Sequence, residues 1–388
     1  MQNWGRGVQV TVLVLFLSVL YLVCVGGIQP LGKARAGKGS ELSLSTHCAT
    51  LSDAAQTCNI EPCSPCHANT DSSSCKWKFR RYIPSELEAR WWQVVEEVKM
   101  QPCVAMNERF SSYLEIYNAA IEAGWLSNYA VVPEGLCDCA KSMEPKSFDD
   151  SVFSRFEYEN ECTHELKTSY IEPLAGILRH PRVCVPADEK PFLSRKDWLL
   201  VDQWELQKNR KHDSRFLYFD AGASFWLDGA GGSGSSQAWF DSIFVNLCAP
   251  FQGYWLWEAA PLKAAFVLGQ VPARAKPNYH WYNIPASQDK TSSDSPLFHV
   301  RNTARLDDYV VFKIDIDNNP VEEAILYSLL DDPQLLSLID EFYWEHHVNM
   351  YPMTKYWRET ADPNKDQGDS IWAFRKMREL GIRAHSWV

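Results

Sequence analysis

The apolar run that begins at Tyr309 ends in alternating acids (YVVFKIDID), and an Asn-Asn-Pro turn follows. About three turns of helical pattern and a second β-rich run, FYWEHHV, complete the stretch to Val348, which predicts strand, helix, strand. The side-chain period of two puts Phe312, Ile314 and Ile316 on one face of the first strand and Lys313, Asp315 and Asp317 on the other. Asn318 or Asn319 suits the helix cap, Pro320 the first turn, and Glu322 and Glu323 the positive end of the macrodipole. In the second strand Glu341, Tyr343, Glu345 and His347 share a face. A right-handed crossover makes the two strands parallel neighbours. Asp315, Asp317, Glu345 and His347 then converge at one carboxyl edge, where open α/β sheets bind ligands.

The same reading extends upstream. RFLYFD (Arg215–Asp220) predicts a strand ended by Gly222, followed by a Gly- and Ser-rich loop and a helix from Ser236 through Trp239, Ile243 and Leu247. Tyr254–Trp257 is a strand ending at Glu258, an acid placed to accept from ribose hydroxyls, and Tyr279–Ile284 is a third strand. A helix over Ser370–Leu380, stopped by Gly381, leads to a final strand, IRAHSWV. Before residue 190 the pattern is helical. Ser85 and Glu88 form a capping box ahead of one helix, a second covers about Ala105 to Ala123, and a third lies around Cys162 to Leu178.

Composition adds compartment and excludes one partner class. The 388-residue chain has a formal net charge of −11 and no long basic run, which argues against nucleic acid. Val8–Ile28 carries no charge and matches the roughly 20 residues of a membrane span. It reads as a signal anchor, with a cleaved signal peptide as the alternative. Of 12 cysteines, ten fall between Cys48 and Cys184. An even, clustered set behind such a leader predicts disulfides in an oxidising lumen, in the Golgi or the ER, or outside the cell if the leader is cleaved. Zinc at Cys63, Cys66, His67 and Cys75 is the competing reading. The chain therefore divides into an anchor (1–28), a stem (29–47), a cysteine-rich α-helical subdomain (48–190) and a Rossmann-like α/β domain (197–388) with helices on both faces of its sheet.

YFDAGAS, WLWEAAP, WYNIPAS, VVFKIDID and FYWEHHV, in that order, resemble the motifs of the FkbM-type class I S-adenosylmethionine-dependent methyltransferases over about residues 216–348. The resemblance implies a seven-stranded Rossmann-like sheet. It gives the cofactor's methionine part to Asp220, Gly222, Ala223 and Ser224, its ribose to Glu258, and its adenine to the neighbourhood of Asn283. Ser224 replaces the family's usual Asn, and Asp317-Asn318 its Glu-Gly. Asp315, Asp317, Glu345 and His347, with Lys313 beside them, are the candidate catalytic groups and a candidate ligand set for Mg²⁺ or Mn²⁺. The expected activity is methyl transfer to a glycan or other hydroxylated acceptor. A non-catalytic scaffold and a metal-dependent hydrolase are the alternatives.

Overall fold

The structure, a computed structural model, describes residues 75–126, 148–185, 189–211, 213–227, 236–247 and 249–387. The apolar leader, the stem, the cysteines from Cys48 to Cys66, Cys137, Cys139, Cys248 and the glycine-rich loop 228–235 lie outside them. Among the described residues no helix is long and apolar enough to cross a membrane.

The region before residue 190 holds more β structure than its helical pattern predicts. Strand β1 (Trp77–Ile83) is followed by helices α1 (Glu86–Val98), α2 (Pro102–Arg109) and α3 (Ser111–Glu122), then by β2 (Ser154–Asn160) and β3 (Leu166–Ile171). The three strands form an antiparallel sheet in the order β1-β2-β3. The helix expected around Cys162 to Leu178 is thus β3 and its flanks. In β2, period-two alternation buries Phe156 and Tyr158 against Phe79 and Tyr82 of β1, and this packing outweighs the helical propensity of the following residues. At α1, Ser85 accepts from Glu88 N at 3.1 Å, while the Glu88 carboxylate turns inward to Tyr82, Ser154 and Leu174 N rather than back to the cap. The helix expected over Ala105 to Ala123 breaks at Phe110 into α2 and α3. Disulfides join Cys75 to Cys162 and Cys103 to Cys184, so Cys75 pairs with a thiol rather than serving zinc.

The second half is Rossmann-like: β4 (Phe216–Ala221), α4 (Ser236–Asn246), β5 (Gly253–Trp257), α5 (Ala264–Gln270), β6 (Tyr279–Tyr282), α6 (Pro296–Thr303), β7 (Tyr309–Ile314), α7 (Asn319–Leu330), β8 (Glu341–Trp344), α8 (Gln367–Glu379) and β9 (Arg383–Ser386). The sheet has six strands among the described residues, not seven, in the order β6-β5-β4-β7-β8-β9, and every neighbouring pair is parallel. β7 and β8 pair from Val311 with Glu341 to Ile314 with Trp344, as the crossover argument predicts. Every residue of β4, β5, β7 and β8 is buried, the signature of a parallel sheet covered on both faces.

Two buried arginines fasten the antiparallel sheet to the parallel one. Arg378 of α8 donates to Ala384 O (2.8 Å), Glu172 O (2.8 Å) and the Tyr82 hydroxyl (3.0 Å), and pairs with the Glu172 carboxylate at 3.2 Å. Arg383 of β9 donates to Ser169 Oγ, Tyr170 O and Leu200 O at 3.0 to 3.1 Å and pairs with Glu341. The segments carrying Ser169 to Glu172 and Leu200 are thereby drawn against the β9 edge. Burial alone would raise the Glu172 carboxyl, but His385 at 2.7 Å, Arg378 and the Leu200 amide override it and hold the group at about 2.

A carboxyl held below its ordinary value of 4.5 contributes stability that is present above that value. Urea midpoints are therefore expected to fall as pH drops from 4.5 towards 2, and the Glu172→Gln variant should lose this part of the acid dependence. Arg378→Met leaves the buried Glu172 carboxylate with only His385 and the Leu200 amide, for an expected loss of about 3 kcal/mol in the same measurement.

Candidate functional site

The site is built on the carboxyl ends of β4, β7 and β8. Lys313, buried in β7, reaches Asp220 Oδ1 at 3.0 Å, Asp315 Oδ2 at 3.2 Å and Gly222 O at 3.4 Å. Asp220 also accepts from the Tyr218 hydroxyl (2.6 Å) and Ser236 Oγ (2.8 Å). It is therefore a fully engaged core acid. Beyond the strand ends, the loops after β4 and β7 touch. Gly222 has φ +92°, and a Cβ there would lie 1.6 Å from the Asp315 carbonyl oxygen, so only glycine fits. Glu322, buried in the first turn of α7, accepts from Ile316 N and Trp344 Nε1, each at 2.8 Å. This carboxylate fixes the loop that carries Asp315.

From β8 the chain continues in register, with Glu345 N donating to Ile314 O at 3.2 Å. Glu345 Oε1 accepts from Trp357 Nε1 at 2.8 Å and from Arg179. His347 is almost wholly buried and stacks on Trp357 with 4.8 Å between ring centres. Its Nδ1 lies 2.7 Å from Thr360 Oγ1, whose own hydroxyl donates to Trp357 O. Thr360 must therefore accept, which puts a proton on Nδ1 and leaves Nε2 directed to Glu345 Oε2, 3.4 Å away. One donor atom from each of Asp315, Glu345 and His347 lies within 4.8 Å of the other two. Asp317 does not join them as fully. Its backbone is left-handed (φ 56°), its side chain is 69% exposed, and its nearest approach is 3.6 Å to His347 Nδ1.

Charge in this cluster is strongly coupled. Burial and the neighbouring Glu345 carboxylate push Asp315 up to about 8 against the pull of Lys313. Burial would raise Glu345 too, but His347 and Arg179 hold it well below the carboxylate range. The imidazole of His347 is lowered by burial, then raised above its ordinary value by Glu345. Burial and the closeness of the two carboxyl groups therefore disfavour their both being ionised.

Sequence reasoning missed Arg179, Lys196 and Thr360, and took Glu322 only as an acid of the helix's first turn. Arg179 and Lys196 come from the segment held by the two arginines. Lys196 is 5% exposed, donates to Ser194 O at 3.2 Å and lies 4.8 Å from the Trp387 ring. Burial first, and Arg179 second, push its ammonium down to about 8. Within SRKDW nothing marks this lysine out from a solvated loop residue.

The residues assigned to a cofactor do gather at the ends of β4, β5 and β6, yet most of their polar atoms are bound to protein. Gly222 N and Ala223 N both donate to Trp257 O at 2.9 Å. Ser224 N donates to Glu258 Oε2 (2.9 Å) and Ala260 N to Oε1 (2.7 Å). Asn283 staples the same turn, donating to Glu258 O and Ala260 O and accepting from Leu262 N. Glu258 is half-buried and keeps lone pairs for a further donor.

Gly222→Ala is expected to cost at least about 2 kcal/mol, from the positive φ and the collision with the Asp315 carbonyl together, measured by urea unfolding.

No family model, no curated protein and no solved structure matches this chain.

Proposed function

We propose that this chain is an S-adenosylmethionine-dependent O-methyltransferase. Its acceptor would be a glycan or another hydroxylated molecule in the lumen of the secretory pathway, and the N-terminal apolar run would anchor it to the membrane. The observation that carries the reading is the gathering of Asp315, Glu345, His347, Arg179 and Lys196 at the carboxyl edge of a sheet whose order reverses between β4 and β7. Open α/β folds take their ligands at that reversal. The motif resemblance over residues 216–348 supports the cofactor class, and the two disulfides support an oxidising compartment.

The cofactor, when bound, supplies a methyl group on a sulfonium. Glu258 suits its ribose hydroxyls through the lone pairs it keeps. The chain's remaining work is to hold an acceptor oxygen in line and to remove its proton. Asp315 and His347 would flank the place for such a hydroxyl, and Lys196, whose ammonium burial makes easier to deprotonate, would take the proton in its free-amine form, which gains population as pH approaches about 8. Arg179 and Lys313 favour the negative charge that develops on the oxygen. One observation favours the scaffold reading instead: the amides of residues 222–224 are all engaged within the protein.

Titration calorimetry of the purified full-length chain with S-adenosylmethionine separates the two. Saturable binding, weakened at least tenfold by Glu258→Ala, is the expected result. A chain with the Cys75–Cys162 and Cys103–Cys184 bridges intact that takes up no cofactor at millimolar concentration is the scaffold.

A further inference from the structure

We infer that Asp315, Glu345 and His347 form a binding site for one first-row divalent cation. The site deepens the proposed activity by naming what polarises the acceptor oxygen, and it relies on that reading only for its use.

The geometry is that of a built site rather than a chance meeting of acids. Each donor is held from behind by a partner that leaves one ligand atom over. Lys313 holds Asp315 through Oδ2, which leaves Oδ1. Arg179 and Trp357 both bind Glu345 through Oε1, which leaves Oε2. Thr360 takes the proton on His347 Nδ1, which leaves the Nε2 lone pair. Outer partners of this kind fix the tautomer and orientation of metal ligands.

An independent observation points the same way. His347 Nε2 is buried and makes no hydrogen bond among the described residues, although it faces Glu345 Oε2 at 3.4 Å. A buried polar atom without a partner is costly, and an ion between these two atoms removes the cost. With bonds of about 2.1 Å, a tetrahedral or octahedral ion spaces adjacent ligands at about 3.0–3.4 Å, which matches the 3.4 Å between His347 Nε2 and Glu345 Oε2. Asp315 lies within 4.8 Å of both and closes with a side-chain rotation.

Two carboxylate oxygens and one imidazole nitrogen favour Mn²⁺, Fe²⁺ or Zn²⁺ over Mg²⁺ and Ca²⁺, which take all-oxygen sets. Three protein ligands leave a coordination position for an acceptor hydroxyl, whose proton the ion makes easier to remove. Asp317, exposed and on the Nδ1 side of His347, is not one of the ligands.

Mn²⁺ added to the metal-free full-length chain, followed by loss of the free-ion electron paramagnetic resonance signal, is expected to show one ion per chain. Asp315→Asn and Glu345→Gln should each weaken uptake at least tenfold. Thr360→Val should weaken it about tenfold while every ligand remains, and Asp317→Asn should leave it unchanged. A folded wild-type chain that takes up neither Mn²⁺ nor Zn²⁺ at submillimolar concentration overturns the inference, as does uptake undiminished in both carboxylate variants. Cofactor titration in chelator separates the two readings. Cofactor binding without ion uptake removes only this inference, and ion uptake without cofactor affinity removes only the methyltransferase.

Discussion

Arg378 and Arg383 are the constraint on which the rest of the molecule depends. Both side chains are essentially without solvent contact, and between them they bind Tyr82, Ser169, Tyr170, Glu172, Leu200, Glu341 and Ala384. An arginine buried in this way is tolerable only when its donors are met by carboxylates and carbonyls in fixed places. Because Tyr82, Ser169, Tyr170, Glu172 and Leu200 come from the antiparallel sheet and the segment after it, while Glu341 and Ala384 belong to the parallel sheet, satisfying the charge also fixes the docking of that segment. The segment in turn delivers Arg179 and Lys196 to acids that belong to the parallel sheet. Chemistry at one end of β7 and β8 thus rests on ion pairs at the far side of β9.

Much of the parallel sheet was legible because its signals are local. The Asn cap, Pro320 and the paired glutamates mark α7, and Asn318 does accept from Val321 N. Strands joined by such a helix commonly become parallel neighbours through a right-handed crossover, as β7 and β8 do, and the approach of Asp315 to Glu345 then follows from a side-chain period of two. Gly222 was legible as the end of β4. Its second role, clearing the Asp315 carbonyl, belongs to a contact between loops far apart in sequence.

What escaped was non-local or lay in short alternations. β1 reads WKFRRYI, seven residues in which only the aromatic and aliphatic face distinguishes a strand from a charged helix end. β2 and β3 are similarly brief, and the stretch after Cys162 has enough helix formers to mislead when its partner strands are unknown. Arg179 sits in AGILRHPR, and no spacing relates it to Glu345, 166 residues away. Asn283 shows the opposite case: its position at the end of β6 was foreseen, but its amide closes a turn around Glu258. Position along a strand can be read from periodicity, whereas the partner of a polar atom cannot.

The bridge between Cys103 and Cys184 lies among Ile177, Val183, Val348, Met350, Met353 and Trp357, the apolar cluster that backs the stacked imidazole. Arg179 lies a few residues before Cys184, so the covalent tie that closes this cluster also shortens the range over which the guanidinium can stray from Glu345.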